Sequence, residues 1–274
     1  MNLDTRIALN DGALIPQLGV GTYKLADAET PAIVSSAIEA GYRHIDTAAL
    51  YGNERGVGRG IRNSGIDRAE LFVTTKVWNT EHGFDETLRA FDSSLALLEL
   101  DSVDLYLIHW PAPKQDRYLD TWRALVRLRE EGRTTSIGVS NFHRPHLERI
   151  IGETGIVPAV NQIELQPWLQ QRELRALHAE LGIVTEAWSP LARGRAIGDP
   201  LLTAIGEQHG KSAAQVVIRW HLQQGIVVIP KSASAERVRA NTEVFDFALS
   251  DTEMAAIAAL DSGERSGSNP DLVE

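Results

Sequence analysis

A chain of 274 residues with 43% hydrophobic content can bury a large core, and its formal charge of −10 argues against nucleic acid or an anionic membrane as a general partner. The absence of cysteine excludes disulfides, thiolate catalysis and Cys-based zinc sites. With no signal-peptide core after Met1 and no apolar run of membrane-spanning length, the expectation is a cytoplasmic, monomeric protein folded as one domain over residues 1–274.

The first element is a hairpin: Asn10-Asp11-Gly12 stands between the apolar flanks of Ile7–Ile15. Short strand-like runs then alternate with longer helical ones through eight rounds. Strands are expected near 17–21, 42–46, 71–76, 103–109, 134–139, 158–162, 183–187 and 226–229. Helices are expected near 27–40, 53–63, 85–99, 118–131, 145–152, 170–181, 212–223 and 234–243. Such alternation implies parallel βαβ units, and eight of them predict an α/β fold, a (β/α)8 TIM barrel with the N-terminal β-hairpin plugging its floor. A doubly wound sheet is the alternative, but no strand is followed by a Gly-x-Gly-x-x-Gly turn opening a helix. Gly56, Gly58 and Gly60 have the wrong spacing and lie inside a helical stretch, where small residues fit under a packing neighbour. After the eighth round, Ser250-Asp-Thr-Glu253 has the capping-box form and predicts an extra C-terminal helix, followed from Gly263 by a polar tail expected to be loop.

Chemistry gathers where strands give way to helices. Asp46 ends the second strand, Lys76 the third and His109 the fourth, and Tyr51 follows Asp46 by five residues. Singly, each has an ordinary explanation as a cap, a solvated strand end or a hydrogen-bonded core residue. In a parallel barrel, however, all strand C-termini face one cleft. A phenol titrating near 10 is a poor acid at neutral pH unless a cation lowers it, and Lys76, held and kept charged by Asp46, supplies one. His109 can donate to a carbonyl or relay protons. The set suits proton donation to a carbonyl oxygen, with Tyr51 as general acid and, as phenolate, the base for the reverse oxidation.

None of these groups delivers hydride, so a cofactor must. Lys231 and Ser232 at the eighth strand end, with Arg237 and Asn241 beyond, suit a phosphate, although on these residues alone ordinary surface cations are the better explanation. Ser140 and Asn141 after the fifth strand, and Asn161 and Gln162 at the sixth, suit a carboxamide; Trp188 offers a face for a flat ring. Arg193 and Arg195 read either as a pyrophosphate loop or as a solvated one. His143 and His146 lack further ligands nearby, so no metal site is expected, and His44, His82, His178, His209 and His221 form no cluster.

With these residues in view, the chain resembles the aldo-keto reductases over almost its whole length. The resemblance rests on Gly41–Glu54, Thr74–Lys76, Asp104–Pro111, Ile137–Phe142, Asn161–Glu164 and Ile229–Ser232, and Val157–Leu165 with Phe245–Phe247 looks like the bacterial 2,5-diketo-D-gluconate reductases. It implies a barrel carrying NADPH across its C-terminal face, with Asp46, Tyr51, Lys76 and His109 as a catalytic tetrad. By the same carry-over, Ser140, Asn141 and Gln162 bind the carboxamide and Trp188 stacks on the nicotinamide. Ser189 and Leu191 meet the pyrophosphate, Lys231, Ser232 and Arg237 hold the 2′-phosphate, and Asn241 meets the adenine. Ala240 stands where many relatives carry a glutamate, which puts one adenine contact in doubt.

Thr22, Tyr23, Trp78 and Trp110 are expected to line an open aromatic pocket for small aldehydes, α-dicarbonyls and keto-sugars. Three alternatives stay open: a metal-dependent barrel hydrolase, a cofactor-binding sensor or regulatory subunit, and a reductase fold whose physiological direction is alcohol oxidation.

Overall fold

The computed structural model describes residues 1–274. Strands β1 (Arg6–Ala8) and β2 (Leu14–Pro16) form the hairpin, with Ile7 opposite Ile15. Its turn needs glycine because Gly12 has φ +92°, a conformation that a Cβ disfavours.

Eight parallel strands follow, each paired with the next: β3 (Val20–Gly21), β4 (His44–Asp46), β5 (Phe72–Val77), β6 (Val103–Ile108), β7 (Thr134–Ser140), β8 (Val160–Glu164), β9 (Val184–Trp188) and β10 (Val227–Val228). Parallel bridges from Leu18 to Val228 and from Gly21 to Lys231 join the last strand to the first and close the barrel. All eight expected strands are present. The sixth lies two residues later than its pattern suggested, so Gln162 is mid-strand rather than terminal.

Helices α1 (Thr30–Glu39), α2 (Glu54–Ser64), α3 (Phe84–Leu98), α4 (Tyr118–Glu130), α5 (Arg144–Thr154), α6 (Arg172–Leu181), α7 (Pro200–His209), α8 (Ala213–Gln223), α9 (Ala235–Ala240) and α10 (Asp251–Ala258) surround it. Helix α7 is absent from the sequence reading. Its short apolar stripe hid a start signal that was present: Asp199 caps the helix by accepting from the Leu202 amide at 3.0 Å, and Pro200 stands at the first position. The glycines of α2 are packing residues, since a Cβ on Gly58 would collide with the Leu98 carbonyl and one on Gly60 would lie 2.7 Å from the Val34 Cβ. No helix is long and apolar enough to cross a membrane.

Side chains alternate across each strand, so residues two apart share a face. Outward residues such as Ile45, Val73, Tyr106, Ile137 and Val228 join the helices in a core of 52 buried residues. The inward apolar residues Phe72, Leu105, Leu107, Val160 and Val227 cluster with Leu9 and Ile15 of the hairpin. The hairpin therefore plugs the floor, and polar inward residues are left for the opposite end.

Candidate active site

Asp46, Lys76 and His109 belong to this inward set at the C-terminal strand ends. The Lys76 ammonium spends its three hydrogens on Asp46 Oδ1 (2.7 Å), Asp46 Oδ2 (2.8 Å) and the Thr47 carbonyl (2.8 Å). Both members of the pair are buried, and such a pair is tolerated only with satisfied hydrogen bonds of this kind. Tyr51 reaches over the pair from a single 3₁₀ turn, Ala49–Tyr51. That turn is fixed by Asn53, whose amide donates to the Thr22 and Leu25 carbonyls and accepts from the Thr47 hydroxyl. Lys76 Nζ lies 5.3 Å from the centre of the Tyr51 ring. The His109 ring meets Tyr51 edge-on at 5.6 Å, and Trp78 meets His109 at 5.1 Å.

Burial decides the protonation states. It lifts the Tyr51 phenol well above its ordinary value, and the Asp46 carboxylate adds to the lift. The net shift is therefore opposite to the expected one: a nearby ammonium still favours the phenolate, but burial and the Asp46 charge outweigh it, and the proton stays on the oxygen. Burial also pushes the Asp46 carboxyl up, opposed by Lys76 and the Gln162 amide. His109 is held well below the usual histidine range by burial and by the Lys76 charge, so it is neutral. Its Nδ1 is buried without a partner. Leaving an acceptor unpaired costs less than leaving a donor unpaired, which favours the tautomer with its hydrogen on Nε2.

A cleft of about 740 Å³ runs from Tyr23, Trp78 and Trp110, past Tyr51 and His109, to Lys231, Ser232, Arg237 and Asn241. Ser140, Asn141, Gln162, Trp188, Ser189 and Leu191 line its middle. These central residues hold one another. The Ser140 hydroxyl donates to the Gln162 carbonyl (2.8 Å), Asn141 donates to the His109 carbonyl (3.0 Å), and Trp188 Nε1 donates to Asn141 Oδ1 (2.9 Å). Asn161 is turned away: its side chain bonds the Phe142 carbonyl and His178 outside the barrel. Thr22 is a correction as well. Fully buried, it donates to the Asp46 carbonyl and lies behind the cleft wall instead of lining it.

At the far end Lys231 is held below the usual lysine range by burial and by the charges of Arg237 and Lys24. Arg237 Nε donates to the Ser232 hydroxyl at 3.2 Å. Lys24, Arg193, Lys231 and Arg237 line the cleft without an ion-pair partner, in a chain of net charge −10.

Three features escaped the sequence reading. Glu186 and His44 are fully buried inward neighbours of the Asp46–Lys76 pair. Each lies two residues before a strand-end site residue, Trp188 and Asp46 respectively, so strand parity points to them. The third is the polar tail, which forms a wall: Gly267, Ser268 and Val273 line the cleft. Glu164 clamps it by accepting from Ser266 N (2.6 Å), Ser266 Oγ (2.7 Å) and Gly267 N (3.0 Å). His143 helps to anchor it through Asp271 at 2.8 Å, while His146 Nδ1 accepts from the His143 amide at 3.1 Å to cap α5.

A closed barrel with a carboxylate, an ammonium, a phenol and an imidazole at its C-terminal mouth is an aldo/keto reductase. The chain belongs to that family, whose model matches residues 17–262, and it is accordingly an oxidoreductase of carbonyl groups. It is 54% identical over 268 residues to an aldo-keto reductase of Mycolicibacterium smegmatis, with 98% of each chain covered. It is 52% identical over 274 residues to the methylglyoxal reductase DkgA of Yersinia pestis, covering 99% of this chain and 98% of that one. Among solved structures, a mutant of Gox0644 in complex with NADPH aligns with a TM-score of 0.95 at 48% identity and 99% coverage of both chains.

Proposed function

We propose that this protein reduces aldehydes and ketones to alcohols with NADPH, and that Tyr51 is the proton donor. The observation that carries the reading is a single cleft joining Tyr51 and His109 to four cations that have no carboxylate partner. Lys231, Ser232 and Arg237 have the donors that a 2′-phosphate requires, and an unpaired, partly desolvated cation pair is stabilised by such an anion. Trp188, fixed by Asn141, offers a face to a nicotinamide ring, and Ser189 and Leu191 lie along the path between the two ends.

The reduced nicotinamide supplies the hydride when bound. The chain supplies the rest. His109, neutral with Nε2–H facing the cleft, donates to the carbonyl oxygen and orients it. As negative charge develops on that oxygen, Tyr51 gives up its proton, which its raised pKa guarantees is present at neutral pH. The charge left on the phenolate is balanced by Lys76, which Asp46 holds in place. With the 5.3 Å from Nζ to the ring centre taken as the separation, this attraction is about 3 kcal/mol for an effective dielectric constant near 20. The aromatic walls Tyr23, Trp78 and Trp110 and the tail beside them suit small aldehydes, α-dicarbonyls such as methylglyoxal, and keto-sugars.

The test is the loss of NADPH absorbance with a panel of methylglyoxal, phenylglyoxal, a nitrobenzaldehyde and a diketo-gluconate, for wild type and Tyr51→Phe. Turnover on several carbonyls is expected, together with its loss in Tyr51→Phe while NADPH still binds. Near-normal turnover by that variant removes Tyr51 as the acid, and silence of the wild type on every carbonyl removes the reductase reading.

A further inference from the structure

Beneath the four residues lies a buried acid that the reaction above does not use. Glu186 projects inward from β9 and is fully buried. Its Oε2 accepts from Gln162 Nε2 at 3.0 Å, and the same nitrogen donates to Asp46 Oδ2 at 2.8 Å. A side-chain amide has two hydrogens on nitrogen, so Gln162 spends both on carboxyl groups and keeps only its oxygen for a ligand. Asp46 in turn takes Lys76 on both of its oxygens. One unbroken chain thus runs from Glu186 through Gln162 and Asp46 to the ammonium under Tyr51.

The charged and titratable groups facing Glu186 are few. Asp46 and His44 come from β4, Lys76 from β5 and Tyr51 from the turn after β4, while β10 offers only Val227 in register. His44 Nε2 is 3.6 Å from Glu186 Oε1, but burial and the Lys76 charge hold His44 down to about 3. The contact is therefore between neutral groups at neutral pH. Glu186 Oε1 has no hydrogen-bond partner. With a single cation available and already committed to Asp46, a second buried carboxylate is expensive, and one of the two keeps its proton.

Resting on the reductase reading, we propose that Glu186 is a positioning residue for carbonyl reduction: through the Gln162 amide it fixes the Asp46–Lys76 pair under Tyr51 and aims the Gln162 oxygen at the cleft. Its ionisation disables this arrangement. A charged Glu186 draws the Gln162 amide toward itself, repels the Asp46 carboxylate beside it and adds negative charge beneath Tyr51, making the phenol a weaker acid. Burial and the Asp46 charge push Glu186 up to about 8, so reduction slows as pH rises through that value. Below it the protonated carboxyl leaves the pair undisturbed.

The experiment is the pH profile of kcat and KM for methylglyoxal reduction in wild type, Glu186→Gln and Glu186→Leu, with thermal midpoints at neutral pH. Glu186→Gln keeps the acceptor for Gln162 but cannot ionise. It is expected to match the wild-type kcat at neutral pH within about threefold and to lose the alkaline decline. Glu186→Leu removes the acceptor and is expected to lower kcat about tenfold, with KM for the carbonyl nearly unchanged. An alkaline decline in Glu186→Gln that superimposes on the wild type overturns the proposal, as does a lowered midpoint in both variants with neither kcat nor profile altered. If Glu186→Leu does not fold, the Glu186→Gln profile decides alone. Absence of turnover in the wild type would instead strike the reductase reading, so the two failures are distinguishable.

Discussion

Lys76→Met tests the electrostatic core of the proposed chemistry. The Lys76 charge lies 5.3 Å from the Tyr51 ring centre, an interaction of about 3 kcal/mol at an effective dielectric constant near 20. Because that attraction exists only once the phenol has lost its proton, it acts on the transition state and not on the bound substrate. Its loss is expected to lower kcat roughly 100- to 200-fold, since about 1.4 kcal/mol is a factor of ten. The single variant also leaves Asp46 buried without its cation, which costs about 3–5 kcal/mol of stability. Asp46→Asn combined with Lys76→Met removes that unpaired charge and should recover much of the thermal midpoint while leaving kcat low. Steady-state kinetics and NADPH fluorescence titration, alongside circular dichroism melts, separate the two effects. A folded double variant that turns over within about threefold of wild type would show that the Lys76 charge is not what balances the phenolate.

Neutral substitution of Lys231 and Arg237 should weaken NADPH by about ten- to a hundredfold per residue and NADH far less, because a charge-assisted hydrogen bond contributes about 1.5–3 kcal/mol. Equal losses for both cofactors in a fluorescence titration would place the 2′-phosphate elsewhere. His82 is buried with both ring nitrogens unpaired, and burial holds it down to about 4. A histidine depressed in the fold takes up its proton preferentially in the unfolded chain, so stability is intact above the unfolded value near 6.5 and is lost as pH falls. His82→Leu should therefore lose less of its thermal midpoint than wild type between pH 7 and pH 5, a difference of about 2 kcal/mol. Identical losses would mean that His82 is hydrated rather than dry.

Much of the site was legible because parallel strands bring every strand C-terminus to one mouth. Asp46, Lys76, His109 and Trp188 could be recognised by position alone. Roles set by burial were not legible. That Tyr51 holds its proton more firmly than a free phenol depends on the Asp46 charge and on desolvation, neither of which is written in its neighbours along the chain. Thr22 and Asn161 were misplaced because both stand beside site residues in sequence. Thr22 instead turns its hydroxyl to the Asp46 backbone, and Asn161 has the outward parity of Ile163. The tail is loop, as its polar composition indicates, apart from one 3₁₀ turn at Pro270–Leu272; that it walls the cleft was not legible, because its clamp, Glu164, is about a hundred residues away in the chain.

Strand parity also explains how the fold carries so costly a site. Within β5, Phe72, Thr74 and Lys76 are successive inward residues; within β9 they are Val184, Glu186 and Trp188; within β8, Val160, Gln162 and Glu164. Each of these three strands thus passes from apolar at the floor to polar, ionisable or indole-bearing toward the mouth. Burying Asp46, Lys76, Glu186 and His44 in one interior is unfavourable and must be offset elsewhere. The floor supplies that offset: Ile15 and Leu9 of the hairpin seal Leu105, Leu107, Phe72 and Val227 from water. The two layers meet at His44, whose ring packs edge-on against Phe72 at 5.2 Å, and at Leu107, the cross-strand partner of Lys76, while the polar layer is also fixed by its own hydrogen bonds from Glu186 to Lys76.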